Sequence, residues 1–187
     1  AEISLQEVQI VDSLEYPAIF MDTYIDSGST NSAYESSQRL LMGRSNLSSS
    51  LNYRSVSFVM FNWSSMPIPA SHEFISATLT LNKLSGGENG QESIRIAVCE
   101  IFDEWNESAT WNGPTGGNSA YTEQAHSSGC DTPFEITSMD HEDYTVDFDI
   151  TYAVQHAHAN GTDKVNLAFW IINDTTDEWH FASSDYT

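Results

Sequence analysis

The stretch Ile75-Ser-Ala-Thr-Leu-Thr-Leu81 carries the clearest strand pattern in this chain of 187 residues. Its four apolar residues alternate with serine and threonine. Because successive side chains of a strand point to opposite faces, this order places all the apolar groups on one face. A strand with one apolar and one polar face is typical of an antiparallel sheet. The stretch therefore predicts a half-buried strand in such a sheet.

Short segments of similar pattern lie on both sides of it, separated by glycine, proline, serine and asparagine. We predict strands at residues 2–11, 18–25, 39–42, 53–62, 94–102, 134–136, 144–150, 165–172 and 179–183. Segment 165–172 is apolar on both faces and should be a central strand. Thr151–Ala159 is the predicted helix, with Asn160-Gly161 as its stop signal. The fold class that follows is all-β, an antiparallel jelly-roll β-sandwich with one short helix.

Composition narrows the classes of function. The chain has 27 acidic and 6 basic residues, a formal net charge of -21 at pH 7. A field of this sign repels nucleic acid and anionic lipid and attracts cations. We find no apolar run long enough to span a membrane. The chain begins at Ala1, which a signal peptide removed before that residue would explain, so we expect an extracellular or cell-surface protein.

Motifs that carry catalysis are missing from the sequence. We find no G-x-S-x-G, phosphate-binding loop, H-E-x-x-H or C-x-x-C. His156 and His158 lie two residues apart on the predicted helix, where they face different directions and make a poor chelate. We therefore predict a protein that is not an enzyme.

Calcium is the ion that the acidic loops favour, because it takes hard oxygen ligands. Solvated acidic loops without an ion are the alternative, since no segment has the spacing of an EF-hand. The candidate ligands are Asp22, Asp26, Asp140, Glu142, Asp143, Asp174 and Asp177.

Two kinds of covalent modification are predicted for a secreted chain. Cys99 and Cys130 would form a disulfide, the alternative being one buried thiol and one thiol in a loop. Asn-x-Ser/Thr sequons make five asparagines candidates for glycosylation. They are Asn46, Asn62, Asn106, Asn160 and Asn173.

The segment Ile101-Phe-Asp-Glu-Trp-Asn-Glu-Ser-Ala-Thr-Trp-Asn-Gly113 brackets a polar run with two tryptophans. Their rings either close the end of a sandwich or form an aromatic platform for sugars. The candidate sugar-stacking residues are Trp63, Trp105, Trp111 and Trp179, with Trp170 and the tyrosines as further rings.

Several segments in order resemble the DNRLRE-type domain. They include Asp22-Thr-Tyr-Ile-Asp-Ser-Gly-Ser29, the strand from Tyr53-Arg54, the stretch 75–81, the two tryptophans, Asp147-Phe-Asp-Ile-Thr-Tyr-Ala-Val154 and Phe181-Ala-Ser-Ser-Asp185. The resemblance implies a jelly roll on secreted or cell-surface proteins, often archaeal or bacterial, with polysaccharide binding in some members. It favours a prokaryotic, and within that an archaeal, source. Members continue into a closing strand after the last of these segments, and this chain lacks that closing strand.

Two hypotheses of function follow. The first is a structural subunit in which residues 1–20 donate a strand to the jelly roll of a neighbouring copy, which spans residues 21–187. The donated strand would fill the gap that the missing closing strand leaves beside a central strand such as residues 165–172. The donor side chains would be Ile3, Leu5, Val8 and Ile10, and the product a head-to-tail homopolymer. If the strand folds back into its own chain, a closed monomer results. The second hypothesis is a carbohydrate-binding module for cell-surface or matrix polysaccharide.

Overall fold

The computed structural model describes residues 21–26, 29, 31–34, 36–48, 51–64, 74–86, 93–101, 105–111, 113–114, 133–172 and 178–183. At 44–48, 51–54 and 113–114 it describes the backbone alone. The predicted strand at residues 2–11, with its four candidate donor side chains, lies outside the described residues.

Strands make up most of the described chain. They are β1 (Met21–Asp26), β2 (Arg39–Ser48), β3 (Leu51–Asn62), β4 (Thr78–Ser85), β5 (Ser93–Glu100), β6 (Ala109–Thr110), β7 (Gly113–Pro114), β8 (Glu135–Asp140), β9 (Thr145–Asp149), β10 (Lys164–Ile171) and β11 (Glu178–Ala182). A single helix, α1 (Thr151–Ala159), lies between β9 and β10 in this part of the chain. The predicted all-β sandwich with one short helix is confirmed.

Every strand pairing is antiparallel, and the order is β8-β5-β10-β3-β2-β11-β4-β9 with β1 also on β3. Strand β3 connects the two halves, because its first residues pair with β2 and its later residues pair with β1 and β10. The sheet folds over itself, and apolar side chains from both halves meet in one main core. Its largest members include Phe148, Phe169, Trp179 and Phe181. Full burial of such a side chain contributes about 1.5–3 kcal/mol.

A second, smaller core lies on the opposite face of β3. Phe58 and Ala168 contribute to it from β3 and β10, and Trp105 and Ala109 cover it from the segment before β7. The rings of Phe58 and Trp105 lie 5.6 Å apart. Both faces of β3 and β10 are therefore buried, which explains why segment 165–172 is apolar on both faces apart from Asn166.

The predicted gap beside this segment is wrong. Strand β10 pairs with β3 through residues 164–169 and with β5 through residues 167–171. Its backbone groups are satisfied by neighbours on both sides, so no acceptor groove for a donated strand lies there. The gap is predicted from the closing strand that DNRLRE-type domains have after the segment resembling residues 181–185, and β11, which contains the start of that segment, is paired with both β2 and β4.

The stretch 75–81 follows the predicted alternation of buried and exposed side chains only from Ala77 onward. Ala77, Leu79 and Leu81 are buried as expected, but Ile75 is 50% exposed. Strand β4 begins at Thr78, because the backbone groups of Phe74 and Ala77 bond to α1 and to the residue before it. The amide of Ala77 donates to Thr151 Oγ1 at 2.9 Å.

Two other boundaries differ from the sequence patterns. Tyr144, predicted on the apolar face of its strand, is 81% exposed because it lies in the turn before β9. Strand β2 continues past Gly43 to Ser48, beyond its predicted end at residue 42, since backbone pairing with β3 extends the hairpin to Leu51. In the described residues, no helix is long and apolar enough to cross a membrane.

Candidate functional site

A pair of tyrosines lies at the edge where β1 meets β2. The rings of Tyr24 and Tyr34 stack with centroids 4.0 Å apart and planes 19° from parallel, and both side chains are half-buried. Alternation along β1 buries Thr23 and Ile25 and turns Tyr24 to the other face. Tyr34 reaches it from the connection between β1 and β2.

The tyrosine pair is linked to β11 through Glu178, whose carboxylate acts on the Tyr24 hydroxyl. Tyr24 lies opposite Ser57 on β3, and the Ser57 hydroxyl donates to the carbonyl of Leu41 on β2 at 2.9 Å. On the far side of β2, His180 of β11 lies opposite Leu41. Because Trp179 and its neighbour at 181 point into the main core, the side chains at 178 and 180 point away from it.

Three polar side chains form a connected row on β2 and β11. Arg39 Nη1 lies 3.4 Å from His180 Nδ1, and His180 Nε2 lies 3.6 Å from a carboxylate oxygen of Glu178. A guanidinium can only donate, so Nδ1 accepts and the ring proton is on Nε2, facing the carboxylate. Arg39 is exposed, whereas His180 and Glu178 are half-buried.

Electrostatics keeps the Tyr24 hydroxyl protonated. Burial raises the pKa of Tyr24 well above its ordinary value, and the neighbouring Tyr34, Asp26 and Glu178 raise it further. A negative phenolate would be desolvated and close to two carboxylates, so the neutral form is favoured. The hydroxyl remains a hydrogen-bond donor. We call the set of Tyr24, Tyr34, Asp26, Glu178, His180 and Arg39 the tyrosine edge.

The tyrosine edge combines aromatic surface on β1 and the connection after it with donors and acceptors on β2 and β11. Its rings offer apolar faces, its carboxylates accept hydrogen bonds, and its planar guanidinium donates several hydrogen bonds. Sites for small organic ligands combine apolar or aromatic surface with a few placed polar groups in this way. Such a surface can contact the C–H face of a sugar ring and bond its hydroxyls.

The four tryptophans predicted to stack sugars lie mostly in the cores. Trp63, Trp105 and Trp179 are 3%, 5% and 0% exposed, so their faces are covered by protein. Each has an indole N–H with no hydrogen-bond partner among the described residues. Trp111 is half-buried and packs on the second core, as does Trp170.

The predicted calcium ligands lie in separate places. Asp22 is buried on β1 and Asp26 is half-buried at its end, whereas Asp140 and Asp143 flank the turn after β8 with Glu142 between them. That turn is held by protein groups, since Asp143 Oδ2 accepts from the Asp140 amide at 2.8 Å. Lys83 Nζ also donates to the carbonyl of His141.

Among the residues that the structure describes, no three His, Cys, Asp or Glu side chains are grouped as metal ligands. Asp174 and Asp177 lie outside those residues, and calcium stays a prediction.

The predicted covalent sites are only partly described. Cys99 is buried on β5 and Cys130 lies outside the described residues, so the disulfide stays a prediction. Asn106 and Asn160 are exposed and Asn62 is half-buried. Asn46 is described by its backbone alone, and Asn173 lies outside the described part.

Comparison with protein-family models gives a match over residues 16–187, to carbohydrate-binding module family 96. The chain belongs to this family. Membership confirms the carbohydrate-binding part of the resemblance drawn from the sequence, while the DNRLRE-type name stays a resemblance. No curated protein matches the chain. The family describes a binding module, which agrees with the second of the two hypotheses of function.

From the sequence, the tyrosines are only further candidate rings, and Tyr24 and Tyr34 are not brought together with the polar row. The signal for Tyr24 and Asp26 was present, since residues two apart on a strand share a face. Nothing in the sequence showed that Tyr34 or Glu178 would join them, because those contacts depend on the pairing of distant segments.

Proposed function

We propose that this protein is a carbohydrate-binding module that holds polysaccharide at the tyrosine edge. The observation that carries the proposal is the family match, which extends over residues 16–187 and so over every described strand. Membership in the family implies that the ligand is a carbohydrate, and the geometry suggests the tyrosine edge as the binding site. In this proposal the module is secreted and binds cell-surface or matrix polysaccharide.

The half-buried tyrosine pair provides the apolar contact. Tyr24 is fixed by β1 and by stacking on Tyr34, so little side-chain freedom is lost when a sugar packs on either ring. An aromatic surface that is already ordered binds more strongly than a mobile one.

The polar row provides specificity. Glu178 and Asp26 accept hydrogen bonds from sugar hydroxyls, while the exposed guanidinium of Arg39 donates to ring or hydroxyl oxygens. The contact between His180 and Arg39 orients both groups before the ligand arrives. Catalysis is no part of the proposal, because a binding module needs only this surface.

Affinity electrophoresis in gels containing hydroxyethylcellulose, xylan or galactomannan tests the site. Tyr34→Ala removes a ring that lies in a connection between strands. We expect it to lower the affinity for the polymer in the gel about tenfold, because one aromatic contact contributes about 0.5–1.5 kcal/mol and about 1.4 kcal/mol is a tenfold change in affinity. Tyr24→Phe keeps the stacking and removes the hydroxyl, so it should cost less.

The matched control is Tyr144→Ala, which removes a tyrosine that is 81% exposed in the turn before β9. We expect it to migrate like the unsubstituted protein. Equal retardation of all four proteins would show that the polymer binds elsewhere. The strand-exchange hypothesis finds no supporting observation in the described residues.

A further inference from the structure

A second row of rings lies on α1 and on the residue that precedes β8. The centroid of Tyr152 is 5.9 Å from that of Phe134 and 5.9 Å from that of His156, whose ring is only 6° from parallel with it. Tyr152 is 60% exposed, while Phe134 and His156 are half-buried. The row thus has one prominent ring supported by two others.

The helix holds this row in place. Tyr152 and His156 are four residues apart on α1, so they share a face of the helix. The other face buries Ala153, Val154 and Ala157 in the main core. A platform built on a packed helix keeps its geometry without a ligand, which lowers the entropy cost of binding.

Polar groups border the rings. His156 Nδ1 lies 2.9 Å from Glu100 Oε2, and the Glu100 side chain is 11% exposed. Asn160 Nδ2 donates to the His156 carbonyl at 2.9 Å and lies 3.1 Å from its Nε2. Because the amide nitrogen is a donor, Nε2 accepts and the ring proton is on Nδ1, directed at the carboxylate.

We propose that Phe134, Tyr152 and His156 form a second carbohydrate subsite, which stacks the face of a neutral pyranose against Tyr152. The proposal rests on the function proposed above, since it assumes the same class of ligand. Asn160, exposed at the end of the helix, is placed to bond a sugar hydroxyl. Among the large hydrophobic side chains of the described residues, Tyr144 and Tyr152 are the aromatic ones that are exposed.

The two sites are separate. Strand register places Glu100, Leu167, Val59 and Asp22 in one row across β5, β10, β3 and β1. Three inter-strand steps amount to about 14 Å, and Tyr24 lies two residues further along β1. A polysaccharide long enough to pass over the surface from one site to the other would make the second contact intramolecular, which strengthens binding to a polymer.

Titration calorimetry with cellotriose, xylotriose and mannotriose tests the inference. We expect a trisaccharide that binds to do so at two sites per chain, and Tyr152→Ala to leave one. The substitution removes a mostly exposed ring, so the fold should persist, which circular dichroism checks. In gels, Tyr152→Ala should lower polymer affinity at least tenfold, while Tyr144→Ala should not.

The outcomes separate this inference from the proposed function. One site per chain, lost in Tyr34→Ala and unchanged in Tyr152→Ala, would overturn the second subsite and leave the tyrosine edge standing. A site lost only in Tyr152→Ala would support the subsite and refute the tyrosine edge. No binding of any trisaccharide or polymer would overturn both.

Discussion

At the scale of single residues, one glycine allows the backbones of two segments to approach closely, because it has no side chain. Gly86 follows β4 with a φ of +129°, and a Cβ built on it would lie 2.9 Å from the Cα of Trp179 and 3.0 Å from the carbonyl oxygen of Glu178. Both neighbours are backbone atoms on β11, which cannot move aside alone. Trp179 is fully buried, so Gly86 secures the packing of a large core ring.

We expect Gly86→Ala to destabilise the protein by about 3 kcal/mol, the sum of backbone strain and overpacking. The matched control is Gly161→Ala, because Gly161 has a φ of +70° and nothing within 4 Å of a built Cβ. It should cost about 1 kcal/mol from strain alone. Thermal melting should therefore show a shift of roughly 6–12 °C for the first and 2–4 °C for the second. Equal shifts would contradict the close approach.

At the scale of elements, an aspartate before the N-cap residue of α1 binds the first residue of the helix. Asp149 Oδ1 accepts the amide hydrogen of Thr151 at 3.0 Å, and hydrogen bonds from Thr151 lower the pKa of this carboxyl below its ordinary value. A lowered pKa means that the ionised form stabilises the fold. This contribution is present above pH 3.8 and is lost as pH falls through the lowered pKa.

We expect Asp149→Ala to lower the free energy of unfolding by about 1 kcal/mol at pH 7, the usual effect of removing an acceptor at a helix start. Asp149→Asn keeps an acceptor without the charge and should cost less. Chemical denaturation at pH 7 and pH 3 measures both. The difference between the unsubstituted protein and the asparagine variant should shrink at pH 3, and a constant difference would exclude a role for the charge.

The sequence pattern predicted the bounds of an element correctly where residues next to the element mark its end. The helix bounds agree because Asn160 and Gly161 close it, their amides donating to the carbonyls of His156 and His158. Ile75 and Tyr144 were misplaced, since alternation does not show where a strand stops pairing. The tyrosine edge was beyond reach for a related reason. Tyr24 and Glu178 become neighbours only through strand pairing between distant parts of the chain.

At the scale of the whole molecule, the net charge bears on which polysaccharides the proposed site would bind. The net charge of -21 produces a negative field that any polymer crosses before it reaches the surface. The tyrosine edge adds Asp26 and Glu178 at the site itself, opposed by the guanidinium of Arg39. Neutral sugars experience no such repulsion, whereas a polymer of uronic acids is repelled both at long range and at contact.

We therefore expect neutral polymers to retard the protein equally at low and high salt, and pectate to retard it weakly at low salt. Raising NaCl from 0.01 to 0.5 M shortens the Debye length from about 30 Å to about 4 Å, which should remove most of the long-range repulsion. Retardation by pectate should then increase with salt, whereas retardation by galactomannan should not change. Strong retardation by pectate at low salt without divalent cations would show that Arg39 and its neighbours outweigh the overall field. Repeating that gel with calcium and then with chelator would identify a bridging cation, because only bridged binding disappears when the ion is removed.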